Sequence, residues 1–212
     1  MDYQKFLHRK KRIVAISNPL HITPAGITGT QEKILITVGR LAYQKGIDML
    51  IKIIPEVLTR HEDWKWYYLG DGEYRKQLEG IQKQYLLEDR LVLTGAVKNV
   101  AEYLKRASIM VLASRFEGFA MCILEARACM VPCIAFDITG PSELIGHEIN
   151  GFLISPFRVD EMTKKILQLI EDHDLRKRFS CASLEGLEEY KTETILKKWM
   201  YLLDSLQRYN EK

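Results

Sequence analysis

Two glutamates frame the stretch SRFEGFAMCILEA, Ser114 to Ala126. Glu117 stands against Gly118. Glu125 follows after seven intervening residues, inside a run of Met121, Cys122, Ile123, Leu124 and Ala126 that is otherwise suited to burial. A carboxylate in such a run costs free energy unless it meets a partner. It is also a double acceptor, and the hydroxyls of a ribose or hexose are paired donors. If 119–130 is helical, Glu117 precedes the first turn and Glu125 lies about two turns in, with roughly 12 Å of rise between them. That is comparable to a sugar diphosphate joined to a ribose. A second reading fits the same spacing: Glu117 is a helix-start carboxylate favoured by the dipole, and Glu125 pairs with Arg127 or another cation. Spacing alone leaves both open.

A second group of polar residues lies in the segment GRLAYQKG, Gly39 to Gly46. Arg40 and Lys45 follow an apolar β-branched run and precede a helical pattern. Two cations at such a place suit a phosphate or diphosphate, although a solvated loop with two ordinary charges has the same composition. The loop is neither G-x-G-x-x-G nor G-x-x-x-x-G-K-[ST], which argues against a dinucleotide oxidoreductase and against a P-loop nucleotidase. The acidic patterns Asp71-Gly72-Glu73 and Asp172-His173-Asp174 read as a turn after a strand and a break between helices, so no metal site is expected. The five histidines form no constellation with a Ser or Cys nucleophile, which speaks against acyl transfer.

The elements that must position these residues alternate. Strands are expected at Lys33–Val38, Trp64–Leu69, Arg90–Leu93, Ile109–Ala113, Pro132–Phe136 and Phe152–Ile154. Helices are expected near 46–60, 73–86, 98–106, 119–130 and 159–172. Such alternation predicts an α/β fold, a Rossmann-like, doubly wound parallel sheet covered on both faces. In open parallel sheets ligands bind at the carboxyl ends of the strands. Turn residues follow each of the first five strands there: Gly39-Arg40, Gly70-Asp71-Gly72, Gly95, Ser114 to Gly118, and Gly140-Pro141-Ser142-Glu143. Outside this core, Ile13–Ile16 leads to Asn18-Pro19, and His21–Glu32 reads as a connection. At the other end Ile195, Trp199, Leu202 and Leu206 recur at offsets of four, three and four, widened by Leu196 and Leu203, which predicts a long amphipathic helix.

Composition limits the classes. The chain has 212 residues, 47% apolar and 28% charged, with net charge +3. That is ordinary for a globular protein and too weakly basic to argue for nucleic acid. Cys122, Cys129, Cys133 and Cys181 form no C-x-x-C, so reduced thiols and a cytoplasmic setting are expected. No apolar run approaches the roughly 20 residues of a membrane span, and no signal peptide is expected from the polar, basic first twelve residues.

The motifs GRLAYQKG, LGDGEYRKQL, LTGAV, SRFEGFAMCILEA and DITGPSELI occur in this order, one for each of the first five strands. Together, over about 33–205, they resemble the donor-binding domain of the retaining family-4 (group 1) glycosyltransferases of GT-B fold. The resemblance implies that Arg40 and Lys45, with Gly39, clasp a donor diphosphate. It implies that Glu117 meets the sugar hydroxyls beside Gly118, and that backbone amides around Phe119 and Ala120 lie near sugar and phosphate. Glu125 would take the ribose hydroxyls, and the turn Gly95, Ala96, Val97 would frame the base. Arg40, Lys45 and Glu117 would serve the transfer itself. Ala120 stands where the family commonly has glycine. The resemblance also implies that no metal or other cofactor is needed, because cations and the helix dipole stabilise the departing nucleoside diphosphate.

In the resembling enzymes the acceptor binds a separate N-terminal domain. The expected organisation is therefore a segment and interdomain connection over 1–32, a nucleotide-sugar-binding domain over 33–189, and a helix over 190–212 that returns to that missing domain. The expected function is donor binding in a hexosyltransferase that uses a nucleotide sugar, with UDP favoured, and a glycan or lipid-linked acceptor. This belongs to polysaccharide biosynthesis in the cytoplasm or at the inner face of the cell membrane, with this stretch alone inactive in transfer. Self-association through the last helix is a further expectation. A GT-B sugar-nucleotide epimerase and a non-catalytic interaction module of the same fold are the alternatives.

Overall fold

A computed structural model describes residues 14–22 and 31–210. The chain divides into two compact units, Ile22–Glu185 and the combination of Met1–His21 with Gly186–Lys212.

The larger unit is the alternating core. Its strands are β1 Ile34–Val38, β2 Lys65–Leu69, β3 Leu91–Gly95, β4 Ile109–Leu112, β5 Cys133–Phe136 and β6 Gly151–Ile154. They form one sheet in the order β3-β2-β1-β4-β5-β6, with every neighbouring pair parallel. Strands β1, β4 and β5 are apolar and buried almost throughout, as a sheet covered on both faces requires. The helices are α1 Ile47–Arg60, α2 Arg75–Gln84, α3 Val100–Leu104, α4 Met121–Ala128, α5 Pro141–Leu144, α6 Val159–Glu171 and α7 His173–Ala182. Helix α1 buries Ile47, Leu50, Ile54, Val57 and Leu58, a spacing of three and four that makes one apolar face. Helix α6 does the same with Met162, Ile166, Leu169 and Ile170. The break after α6 is sharp because Asp172 Oδ1 accepts from Leu175 N at 2.8 Å and caps α7.

The strand order places a switch point between β1 and β4, where successive strands are laid in opposite directions across the sheet. Register pairs between these two strands are Leu35↔Ile109 and Ile36↔Met110. Just beyond them a buried side-chain chain continues the link. Trp66 Nε1 donates to Thr37 Oγ1 at 3.1 Å, and Thr37 Oγ1 donates to the Val111 carbonyl at 3.0 Å. Past that point the two strands feed separate loops.

The smaller unit holds a 3-10 turn, Leu187–Tyr190, and helix α8, Thr192–Asn210. Leu20 N donates to the Tyr190 carbonyl at 2.7 Å. Helix α8 has the predicted register, but the apolar stripe is mostly not covered. Ile195 is buried, whereas Leu196, Trp199, Met200, Leu203 and Leu206 are exposed. Residues 14–16, which lead to Asn18-Pro19, carry no ladder, and Ile13 lies outside the described residues. Most of the expected connection, 23–30, lies outside them too. Among the described residues no helix is long and apolar enough to cross a membrane.

Candidate functional site

The loop after β1 is more ordered than its composition suggests. Tyr43–Lys45 is a 3-10 turn, closed by Gly46 at φ 68°. A Cβ at Gly46 would lie 1.9 Å from the Ala113 carbonyl oxygen, so only glycine allows this loop to pass so close to the end of β4. Gly70 plays the matching part on the other side, where a Cβ would meet the Gly39 carbonyl oxygen at 1.9 Å. These contacts bring the loops after β1, β2 and β4 together at one edge. Tyr68 OH donates to the Arg40 carbonyl at 3.3 Å, fixing the backbone while the Arg40 side chain stays exposed.

At this edge Lys45 Nζ donates to Glu117 Oε1 at 2.6 Å. Ser114 Oγ donates to the same oxygen, also at 2.6 Å. The Lys45 side chain is 19% exposed and that of Glu117 8%. Two residues 72 positions apart, both singled out from the sequence, thus form a partly buried ion pair at the switch point. Gly140, at φ 93°, closes over it, and a Cβ there would meet Glu117 Cβ at 3.2 Å.

Helix α4 starts at Met121, later than the expected 119. Glu117 to Ala120 are therefore not helical, and Glu125 stands about one turn into the helix, not two. The 12 Å of helical rise does not apply. The N-cap is Ala120, with φ 59° and ψ 56°. That is left-handed backbone, costly for a residue with a Cβ and free for glycine. The departure from glycine noted in the sequence is thus a strained position at the mouth of the site. Glu125 is half-buried. Cys122, three residues earlier on the same helix face, feels Lys45, Glu117 and Glu125, while burial pushes its thiol up to about 12. A thiol so placed stays protonated and inert. Arg127, one proposed partner for Glu125, donates to the carbonyls of Leu144, Ser183 and Glu185.

The turn Gly95, Ala96, Val97 follows β3 on the same edge, two strands out from β1. Gly95 is bound to the β2 loop, since Gly70 N donates to its carbonyl at 2.9 Å. Gly118 and Phe119 lie in the β4–α4 loop, with Gly118 exposed and Phe119 half-buried. The edge therefore gathers Gly39, Arg40, Lys45, Glu117 and Ala120 around the β1 and β4 loops, with Gly95 to Val97 farther along. Sequence reasoning missed Ser114 as a partner of Glu117, and missed Arg115. The signal was present, because both lie within three residues of Glu117. Among the described residues no group of three or more His, Cys, Asp or Glu could hold a metal ion.

The sequence profile of the family described as "Glycosyl transferases group 1" matches residues 24–184. The chain belongs to this family. Among its relatives, the amylovoran biosynthesis glycosyltransferase AmsD of Erwinia amylovora is 34% identical over 171 residues, covering 80% of this chain and 48% of AmsD. Among solved structures, S. aureus TarM, as a mutant in complex with Fondaparinux, alpha-GlcNAc-glycerol and UDP, superposes with a TM-score of 0.84 at 30% identity. That match covers 95% of this chain and 41% of TarM. A C-terminal domain of a glycosyl transferase group 1 protein from Francisella tularensis matches with a TM-score of 0.69 at 26% identity, covering 76% of this chain and 88% of that domain. The group 1 chain described here thus has the Rossmann-like fold of one half of a GT-B enzyme. It spans about half or less of the length of AmsD and TarM.

Proposed function

We propose that this group 1 domain is the donor-binding half of a retaining glycosyltransferase, one that moves a hexose from a UDP-sugar to a glycan or lipid-linked acceptor. The observation that carries the reading is the Lys45–Glu117 pair at the β1/β4 switch point, with the Arg40 side chain exposed on the same loop. Ligands of doubly wound sheets sit at such a point. UDP in the TarM complex supports uridine as the base, and the amylovoran relative supports polysaccharide assembly.

In this reading Arg40 and Lys45 bind the diphosphate. They favour its departure because the charge that develops on the leaving oxygen meets two cations. Glu117 offers the sugar hydroxyls a carboxylate already oriented by Ser114. The backbone amides around Phe119 and Ala120, in the loop that leads into α4, lie near sugar and phosphate in the same reading. Glu125 takes the ribose, and Gly95 to Val97 border the base. No metal enters the scheme. Acceptor recognition belongs to a domain outside this chain, so the chain alone binds donor without transferring. A lipid-linked acceptor would put the complete enzyme at the inner face of the cell membrane.

Isothermal titration with UDP, GDP, ADP and their glucose conjugates tests the reading. Uridine ligands should bind, and EDTA should leave their affinity unchanged. Failure of every nucleotide to bind, or a strict metal requirement, would overturn it.

A further inference from the structure

The two loops that carry Lys45 and Glu117 belong to different strands, and the β1–β4 ladder stops at Ile36↔Met110. Farther out, a second set of contacts joins them. Arg115 Nη1 and Nη2 donate to Asp48 Oδ1 and Oδ2, each at 2.7 Å. Nη1 also donates to the Tyr43 carbonyl at 2.8 Å, and the guanidinium carbon lies 3.7 Å from the centroid of the Tyr43 ring. The backbone adds Arg115 N to the Gln44 carbonyl at 2.8 Å, and Gln44 Nε2 donates to the Phe116 carbonyl at 3.2 Å. All of these cross between 43–48 and 115–116. Lys45 lies inside the first segment, and Glu117 adjoins the second.

An isolated surface ion pair contributes little. This one differs in geometry. A two-point fork combined with a stacked ring fixes the orientation of both partners, which a single point charge does not. The Arg115 side chain is 18% exposed, so the fork is held in place rather than free in solvent.

We propose that Arg115 is a positioning residue. Its fork on Asp48 and its stack on Tyr43 hold the Lys45 and Glu117 loops at the spacing a nucleotide sugar needs. This rests on the donor-site reading above. In the free protein the Lys45–Glu117 pair itself ties the loops together. A diphosphate competes with Glu117 for the Lys45 ammonium, so that tie weakens when ligand arrives. The Arg115 brace touches neither side chain and persists. It therefore matters most with ligand bound. Lysine is not an equivalent, because it keeps the charge and loses both fork and stack.

The test uses this chain with Arg115→Ala, Arg115→Lys and Asp48→Asn, and two readouts. The first is amide hydrogen exchange of 40–48 and 113–120, with and without UDP. Arg115→Ala should speed both segments together, by about tenfold, while the sheet strands stay protected. The second is titration with UDP and UDP-glucose. Arg115→Ala should bind about tenfold more weakly and Arg115→Lys about threefold. If Arg115→Ala does not fold, Arg115→Lys and Asp48→Asn carry the same comparison. Unchanged exchange in both segments overturns the brace, whatever the affinities. Faster exchange with wild-type affinity overturns its service to the ligand. If the wild type binds no nucleotide, the donor-site reading fails and the positioning role falls with it, while the exchange data separately show whether the brace exists.

Discussion

The Lys45–Glu117 pair can be taken apart by a double-mutant cycle of Lys45→Met and Glu117→Gln. Methionine keeps most of the lysine stem and removes the charge. The pair is partly buried, at 19% and 8% exposure, and Ser114 remains as a partner for Glu117. Its loss should therefore cost about 2 kcal/mol, between an exposed pair and a fully buried one. In a chain of this size that lowers the melting temperature by about 4–8 °C. Glu117→Gln still accepts from Ser114, so it should cost about 1 kcal/mol, and the double mutant should cost less than the sum because the two changes remove one shared interaction.

Binding should separate them further. Lys45→Met loses a charge-assisted contact to phosphate and should weaken UDP by tenfold or more, following roughly 1.5–3 kcal/mol for such a bond. Glu117→Gln should act in the opposite direction on UDP, which carries no hexose. Removing the carboxylate releases Lys45 from a 2.6 Å bond and removes a negative charge near the diphosphate, so UDP should bind about threefold more tightly. The increment from UDP to UDP-glucose should shrink in the same variant. Thermal melts and calorimetry on four proteins supply every quantity. Additive melting shifts would show that the ion pair contributes nothing, and weaker UDP binding by Glu117→Gln would refute the assignment of that residue to the sugar.

Arg40→Ala should weaken UDP binding about tenfold or more with an unchanged melting temperature, since its side chain is exposed; equal affinity in calorimetry would remove Arg40 from the site. Glu125→Gln should weaken UDP itself because UDP retains the ribose, and an unaltered dissociation constant would return Glu125 to a purely structural role. Helix α8 exposes Trp199, Leu203 and Leu206 together. An apolar patch of this kind favours association, so light scattering should show concentration-dependent oligomers that Leu203→Lys abolishes, and a monomer at all concentrations would count against it.

The sequence by itself determined the alternation of elements, because a helix and a strand each write their period into consecutive residues. Ile47, Leu50, Ile54 and Val57 reveal the buried face of α1 without any partner being known. It also determined which polar residues stand at the carboxyl ends of strands, since those follow each apolar run directly. The start of α4 was less legible. Nothing in Gly118-Phe119-Ala120 forbids helix, yet the backbone at Ala120 is left-handed, with φ 59°. The tertiary structure alone decided that Lys45 meets Glu117 and that Arg115 meets Asp48. Those partners are 72 and 67 residues apart. Their meeting depends on β4 lying beside β1, and parallel neighbours are chosen by crossover connections and by the packing of helices on both faces, not by any period within a single element.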